Sequence, residues 1–162
     1  MKGILLRVTL VVLLVGVLAS TADAQRRARR RSVVTPGPRY GAHLGYNFGA
    51  DGLLLGAQVS WPVSPKIDIY PSFDYYFVDP ASLWALNFDL KYRPPTRYGA
   101  WYVGGGLNWS HVSAGGNSAS DTGLNLLTGL EGRRGRTRPY VEGKFILGDG
   151  SSFQLVGGVS WR

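Results

Sequence analysis

Cysteine is absent from the 162 residues. That removes disulfides, thiolate nucleophiles and thiolate metal clusters from consideration. Histidine is nearly absent: His43 and His111 are the only two, and they stand far apart in the chain. No metal centre and no cofactor is expected from such a set. Charge is scarce, at 17 % Asp, Glu, Lys and Arg. Helical periodicity is missing from residue 40 onward, and no segment there is a candidate membrane helix. What the chain has instead is glycine, 23 residues, and aromatic rings, with nine Tyr, six Phe and five Trp. This mixture suits many short strands joined by turns.

The first residues set the compartment. "MKGILLRVTLVVLLVGVLASTADAQ" carries Lys2 and Arg7, an apolar run from Val8 to Leu18, and then Ala22-Asp23-Ala24. A basic start, a short apolar core and an A-x-A site make a signal peptide over residues 1–24, cut before Gln25. Residues 25–39 form an Arg/Pro-rich tail holding Arg26, Arg27, Arg29, Arg30, Arg31 and Arg39, with Pro36 and Pro38 before the next segment. The net charge of +8 is therefore mostly a property of the tail. From residue 40 onward ten Lys or Arg face nine Asp or Glu. In an exported chain a nucleic-acid partner does not fit this run. A solvated linker touching anionic lipid or cell-wall polymer does.

Residues 40–162 repeat one pattern eight times. Alternating segments at 40–49, 52–63, 66–78, 82–93, 100–113, 121–133, 137–148 and 151–162 read as strands, separated by Gly, Pro, Asp, Asn and Ser. At about 10–13 residues each they exceed the usual 5–6 of a soluble sheet and match the 9–11 that a tilted strand needs to cross a bilayer. "YGAHLGYNFG" at 40–49 shows the two faces: Tyr40, Ala42, Leu44, Tyr46 and Phe48 alternate with Gly41, His43, Gly45, Asn47 and Gly49. Across eight strands the apolar parity holds no Asp, Glu, Lys or Arg. The other parity holds Asp68, Asp74, Asp89, Lys91, Glu131, Glu142 and Lys144 among Asn, Gln, Ser and Gly.

An eight-stranded barrel is only just wide enough inside for side chains. The many Trp, Tyr, Phe and Leu of the apolar parity fit better outside, facing lipid, with the charged residues paired within. The expected fold is thus an all-β, eight-stranded antiparallel up-and-down transmembrane β-barrel with short turns. Aromatics then gather at two levels. Tyr40, Trp61, Tyr92, Trp101 and Trp161 form one girdle, and Phe48, Phe77, Trp84, Trp109 and Phe153 the other.

On strand number, two-residue repeat and the closing strand "FQLVGGVSWR", residues 40–162 resemble the small eight-stranded outer-membrane barrels of Gram-negative bacteria, the OmpA/OmpX-like kind. The resemblance implies location in the outer membrane, contact with outer-membrane lipid and lipopolysaccharide, and recognition by the outer-membrane assembly machinery. That family ends on an aromatic residue; here Trp161 is penultimate and is the residue to carry that signal. The large peptidoglycan-binding domain of some relatives is not expected. Two departures stand out. The outer loops are short, the longest being "AGGNSASD" at 114–121, and Asp51, Asp79, Asp121 and Asp149 occupy them, while Arg93, Arg97, Arg134 and Arg136 occupy the inner turns.

Function is expected to be structural or surface-interacting, without enzymatic activity. Interior acids and bases at similar depth suit a hydrogen-bonded plug; a narrow ion-conducting pore is the alternative. A second alternative is enzymatic. "SHVS" sets His111 and Ser113 on one strand face near the outer rim, which resembles the His-x-Ser pair of outer-membrane lipid A deacylases. The Asn that follows their Ser is Ala114 here.

Overall fold

The computed structural model describes residues 37–95, 101–132 and 135–162. The signal peptide, most of the Arg/Pro-rich tail, Arg97 and Arg134 lie outside the described residues.

Eight strands follow in chain order: β1 (Arg39–Asn47), β2 (Gly52–Pro62), β3 (Ile67–Phe77), β4 (Ser82–Tyr92), β5 (Trp101–Ala114), β6 (Asn117–Glu131), β7 (Arg138–Leu147) and β8 (Ser152–Trp161). Each pairs antiparallel with its sequence neighbour, and β1 pairs with β8 to close the barrel. The closing seam runs from Tyr40↔Trp161 to Asn47↔Gln154. One end of the barrel carries both termini of the sheet and is called here the terminal end. The other is called the hairpin end.

Period-two patterning becomes burial directly. Along β3 the sequence IDIYPSFDYYF alternates exposed and buried, so Asp68, Tyr70, Ser72, Asp74 and Tyr76 point inward. Ile67, Ile69, Phe73, Tyr75 and Phe77 point outward. Pro71 has no amide hydrogen to give, and the β2–β3 ladder is interrupted there, between Gln58↔Ser72 and Trp61↔Ile69.

Two boundaries differ from the sequence reading. Arg39, assigned to the tail, is the first residue of β1; it pairs with Ser60 and is buried. Its side chain continues the inward parity of Gly41 and His43, so the ladder extends one residue further than the Pro-rich composition suggests.

The larger difference lies at 114–121. This segment is not a loop. Pairing continues to Ala114↔Asn117 around a two-residue turn, Gly115-Gly116, with φ of +57° and +86°. Positive φ at both positions gives a turn whose twist matches the strands it joins, and glycine adopts it without a Cβ clash. As a result β5 and β6 have 14 and 15 residues, against 9 to 11 elsewhere. Asp121, assigned to a loop, sits in β6 opposite Ser110. The β6–β7 ladder starts only at Leu124↔Leu147, so the tip of the β5–β6 hairpin rises past its β7 neighbour.

Candidate functional site

The barrel interior concentrates the chemistry. Asp68, Asp74, Asp89, Lys91, Glu131, Glu142 and Lys144 are all buried inside it. A buried charge is tolerated only when paired and hydrogen-bonded, and the strand register supplies the partners.

At the terminal end, Arg93 turns inward from the residue after β4. Its guanidinium spans two acids, with Nη2 2.8 Å from Asp68 and Nη1 2.5 Å from Glu131. Ser60 and Ser160 donate to the same two carboxylates at 2.7 and 2.9 Å. Arg39 joins this layer through Ser160 and through the backbone carbonyl of Arg136.

One layer further in, Lys91 lies 2.7 Å from Glu142, and Tyr102 donates to the same carboxylate at 2.8 Å. Lys91 Nζ also sits 3.2 Å from the ring centroid of Tyr70 and 4.1 Å from that of Tyr102. Aromatic faces stabilise a desolvated ammonium electrostatically. The cation is thus boxed by two rings and one carboxylate.

A connected polar chain crosses the middle. Gln58 and Asp74 flank the two ring nitrogens of His43, each at 2.7 Å. Asn87 donates to Asp74 at 3.0 Å and accepts from Asn108 and Asn125. Asn125 also donates to Asp89, which pairs with Lys144 at 3.2 Å. Glycine makes the room. A Cβ at Gly56 would collide with His43 and Asp74, and one at Gly158 with the Tyr140 ring. Toward the hairpin end the filling turns apolar: Leu54, Tyr76, Ala85 and Val156 pack together, with Val78 and Leu83 against them.

The outer surface is the reverse. Leu44, Leu53, Phe88, Leu107, Leu130, Val141 and Phe145 are all exposed by more than half. At the terminal end Tyr40 faces Trp161 across the seam, and Trp61, Tyr92 and Trp101 stand on the same side of the sheet. At the hairpin end Phe48 stacks on Phe153 at 5.6 Å, Trp84 meets Trp109 edge-on at 5.2 Å, and Phe77 meets Tyr75. Charge is polarised along the axis as well. Asp51, Asp79, Asp121 and Asp149 lie at the hairpin end, where the described residues include no Lys or Arg. Lys66, Arg136, Arg138 and Arg162 lie at the terminal end.

No family description matches this chain, and no curated protein matches it. Solved structures do. The N-terminal β-barrel domain of Pseudomonas aeruginosa OprF is similar with a TM-score of 0.65 at 16% sequence identity, over 76% of this chain and 95% of that one. Neisserial surface protein A, NspA, is similar with a TM-score of 0.59 at 15% identity, over 77% of this chain and 95% of that one. The fold is that of a small eight-stranded outer-membrane barrel.

On an outer-membrane barrel, the hydrolase candidates fall at the hairpin rim. His111 and Ser113 project from the same face of β5, but the structure does not join them. His111 Nδ1 lies 2.9 Å from Ser120 Oγ across the ladder, and its ring stacks near Trp84 at 5.4 Å. Ser113 faces Ser118. A nucleophile needs a base in reach and a third group to orient that base. Among the described residues His111 bonds Ser120, and no hydrogen bond joins it to Ser113.

His43 lies on the polar parity that the sequence assigns it, whereas the inward roles of Tyr102, Tyr140 and Arg93 are not marked by the pattern of charges. Parity gives the direction of a side chain, whereas its partner depends on barrel stagger, which strand-by-strand patterning does not contain.

Proposed function

We propose that this chain is an exported outer-membrane barrel with a structural or surface-interaction role, closed to ions and without catalysis. One observation carries the reading: a hydrogen-bonded, charge-paired filling occupies the interior while large apolar side chains cover the exterior. Lipid and lipopolysaccharide would surround the apolar belt, with the terminal end in the periplasm and the acidic hairpin end outside. Trp161, exposed at the end of β8, is available for reading by the assembly machinery.

Fractionation tests the location. The chain should sediment with the outer membrane and run at a different gel mobility when left unboiled. A water-soluble periplasmic pool would reject the proposal. Planar bilayers test the seal. Inserted chains should carry no steady current, and a reproducible conductance step would favour the pore reading. Purified chain should leave lipopolysaccharide acyl chains intact; release that His111→Ala abolishes would favour the hydrolase.

A further inference from the structure

Inside the terminal end every acid is already answered. Asp68 and Glu131 hold Arg93, Arg39 stands behind Glu131, and Glu142 holds Lys91. Three further arginines gather where β7, β8 and β1 meet, and among the described residues none of them reaches a carboxylate. Arg138 pairs with Ser160 across β7–β8, and Arg162 follows Trp161, which pairs with Tyr40 across the closing seam. Arg136 is tied to the same corner: its carbonyl accepts from Arg39, which also donates to Ser160. Arg136 and Arg162 are exposed. Arg138 is half-buried, and its Nε is buried without a hydrogen-bond acceptor among the described residues. The sequence brings no acid to this end of the barrel from its connectors, because residues 25–38, 93–100 and 132–137 contain no Asp or Glu. Like charges gathered in one corner repel unless an anion lies among them. Next to the corner, the outer face of β8 holds a shallow furrow. Gly157 lies between Leu44 of β1 and Val141 of β7, both exposed, and a side chain at 157 would meet nothing within 4 Å.

We propose that the terminal end of the β1–β8 seam is a binding site for the phosphate headgroup of an anionic phospholipid, held by Arg136, Arg138 and Arg162. Guanidinium forks match phosphate oxygens in geometry as well as charge. Tyr40 and Trp161 set the level, since interfacial aromatics sit where headgroups meet acyl chains, and Arg162 is the next residue beyond them. The furrow at Gly157 gives one acyl chain a path beneath the headgroup. Net charge selects the lipid. Phosphatidylcholine and phosphatidylethanolamine carry their own cation, which this corner repels, whereas phosphatidylglycerol carries none. The five arginines at residues 26–31 share the sign of the corner and cannot serve as its counter-ion. The site rests on the membrane-spanning reading proposed above.

The full chain is placed in phosphatidylcholine vesicles with a trace of phosphatidylglycerol or phosphatidylcholine spin-labelled on its acyl chain. Electron spin resonance then reads the fraction of label held immobile by the protein. Labelled phosphatidylglycerol should be preferred by about threefold to tenfold at low salt. Changing Arg136, Arg138 and Arg162 together to Gln should bring the preference close to one. Changing Arg26, Arg27, Arg29, Arg30 and Arg31 to Gln should leave it largely in place. If the triple variant does not fold, Arg136→Gln with Arg162→Gln alters exposed positions only and should still lower the preference. Equal immobilisation of the two labels, or a preference that survives in the triple variant, would overturn the site while leaving the membrane reading intact. Release of the labelled lipid by millimolar inorganic phosphate at constant ionic strength would overturn the lipid as occupant. A chain that immobilises neither label would sink the membrane reading as well.

Discussion

The two halves of the barrel interior solve one problem with different materials. Toward the terminal end the filling is ionic: Arg93 bridges Asp68 and Glu131, and Lys91 sits between Glu142 and tyrosine rings. Toward the hairpin end Leu54, Tyr76, Ala85 and Val156 fill the space with carbon. Both are buried within the same closed sheet. The difference teaches that a narrow barrel does not need a polar interior as such. It needs its charges paired and its space largely filled, and side-chain volume decides which chemistry does it. Where glycines such as Gly56 and Gly158 open space, the His43 and Tyr140 side chains enter.

This contrast makes the ionic half the more fragile. The largest effect should follow Glu142→Leu, which leaves Lys91 buried without its carboxylate. A loss of about 3–5 kcal/mol is expected from urea unfolding in lipid vesicles. Leu54→Ala removes carbon from the apolar half and should cost about 2–4 kcal/mol in the same assay. If the order were reversed, the ionic pairs would not be what holds the interior. Arg93→Lys sharpens the comparison. It keeps the charge but loses the fork that spans two carboxylates, for about 1 kcal/mol. His111→Ala, on the hairpin outside the barrel filling, should change stability by less than about 0.5 kcal/mol.

The architecture was legible in the sequence because period-two alternation was coupled to one-sided chemistry. β3 shows this best: IDIYPSFDYYF reads as a two-faced strand without any structure at hand. The tip of the β5–β6 hairpin was not legible for the same reason. Ser118, Ala119 and Ser120 are exposed on both faces of the sheet, so no alternation marks them, and their composition is that of a turn. The interior partners were hidden by a different limit. Asp89 and Lys144 lie 55 positions apart in the numbering and meet only because of the stagger of the closed sheet. Arg39 and Arg93 flank strand ends, where composition suggests tail and turn, yet each turns inward.

The central claim is that the apolar face meets acyl chains. Trp61, Trp101, Trp109 and Trp161 all lie on the outer surface, each more than two-fifths exposed. Tryptophan fluorescence of the chain inserted in vesicles tests this directly, using phospholipids brominated along their acyl chains. Strong quenching relative to unbrominated vesicles is the predicted result. Emission unaffected by bromine, from a chain that stays compact and soluble in buffer, would contradict it.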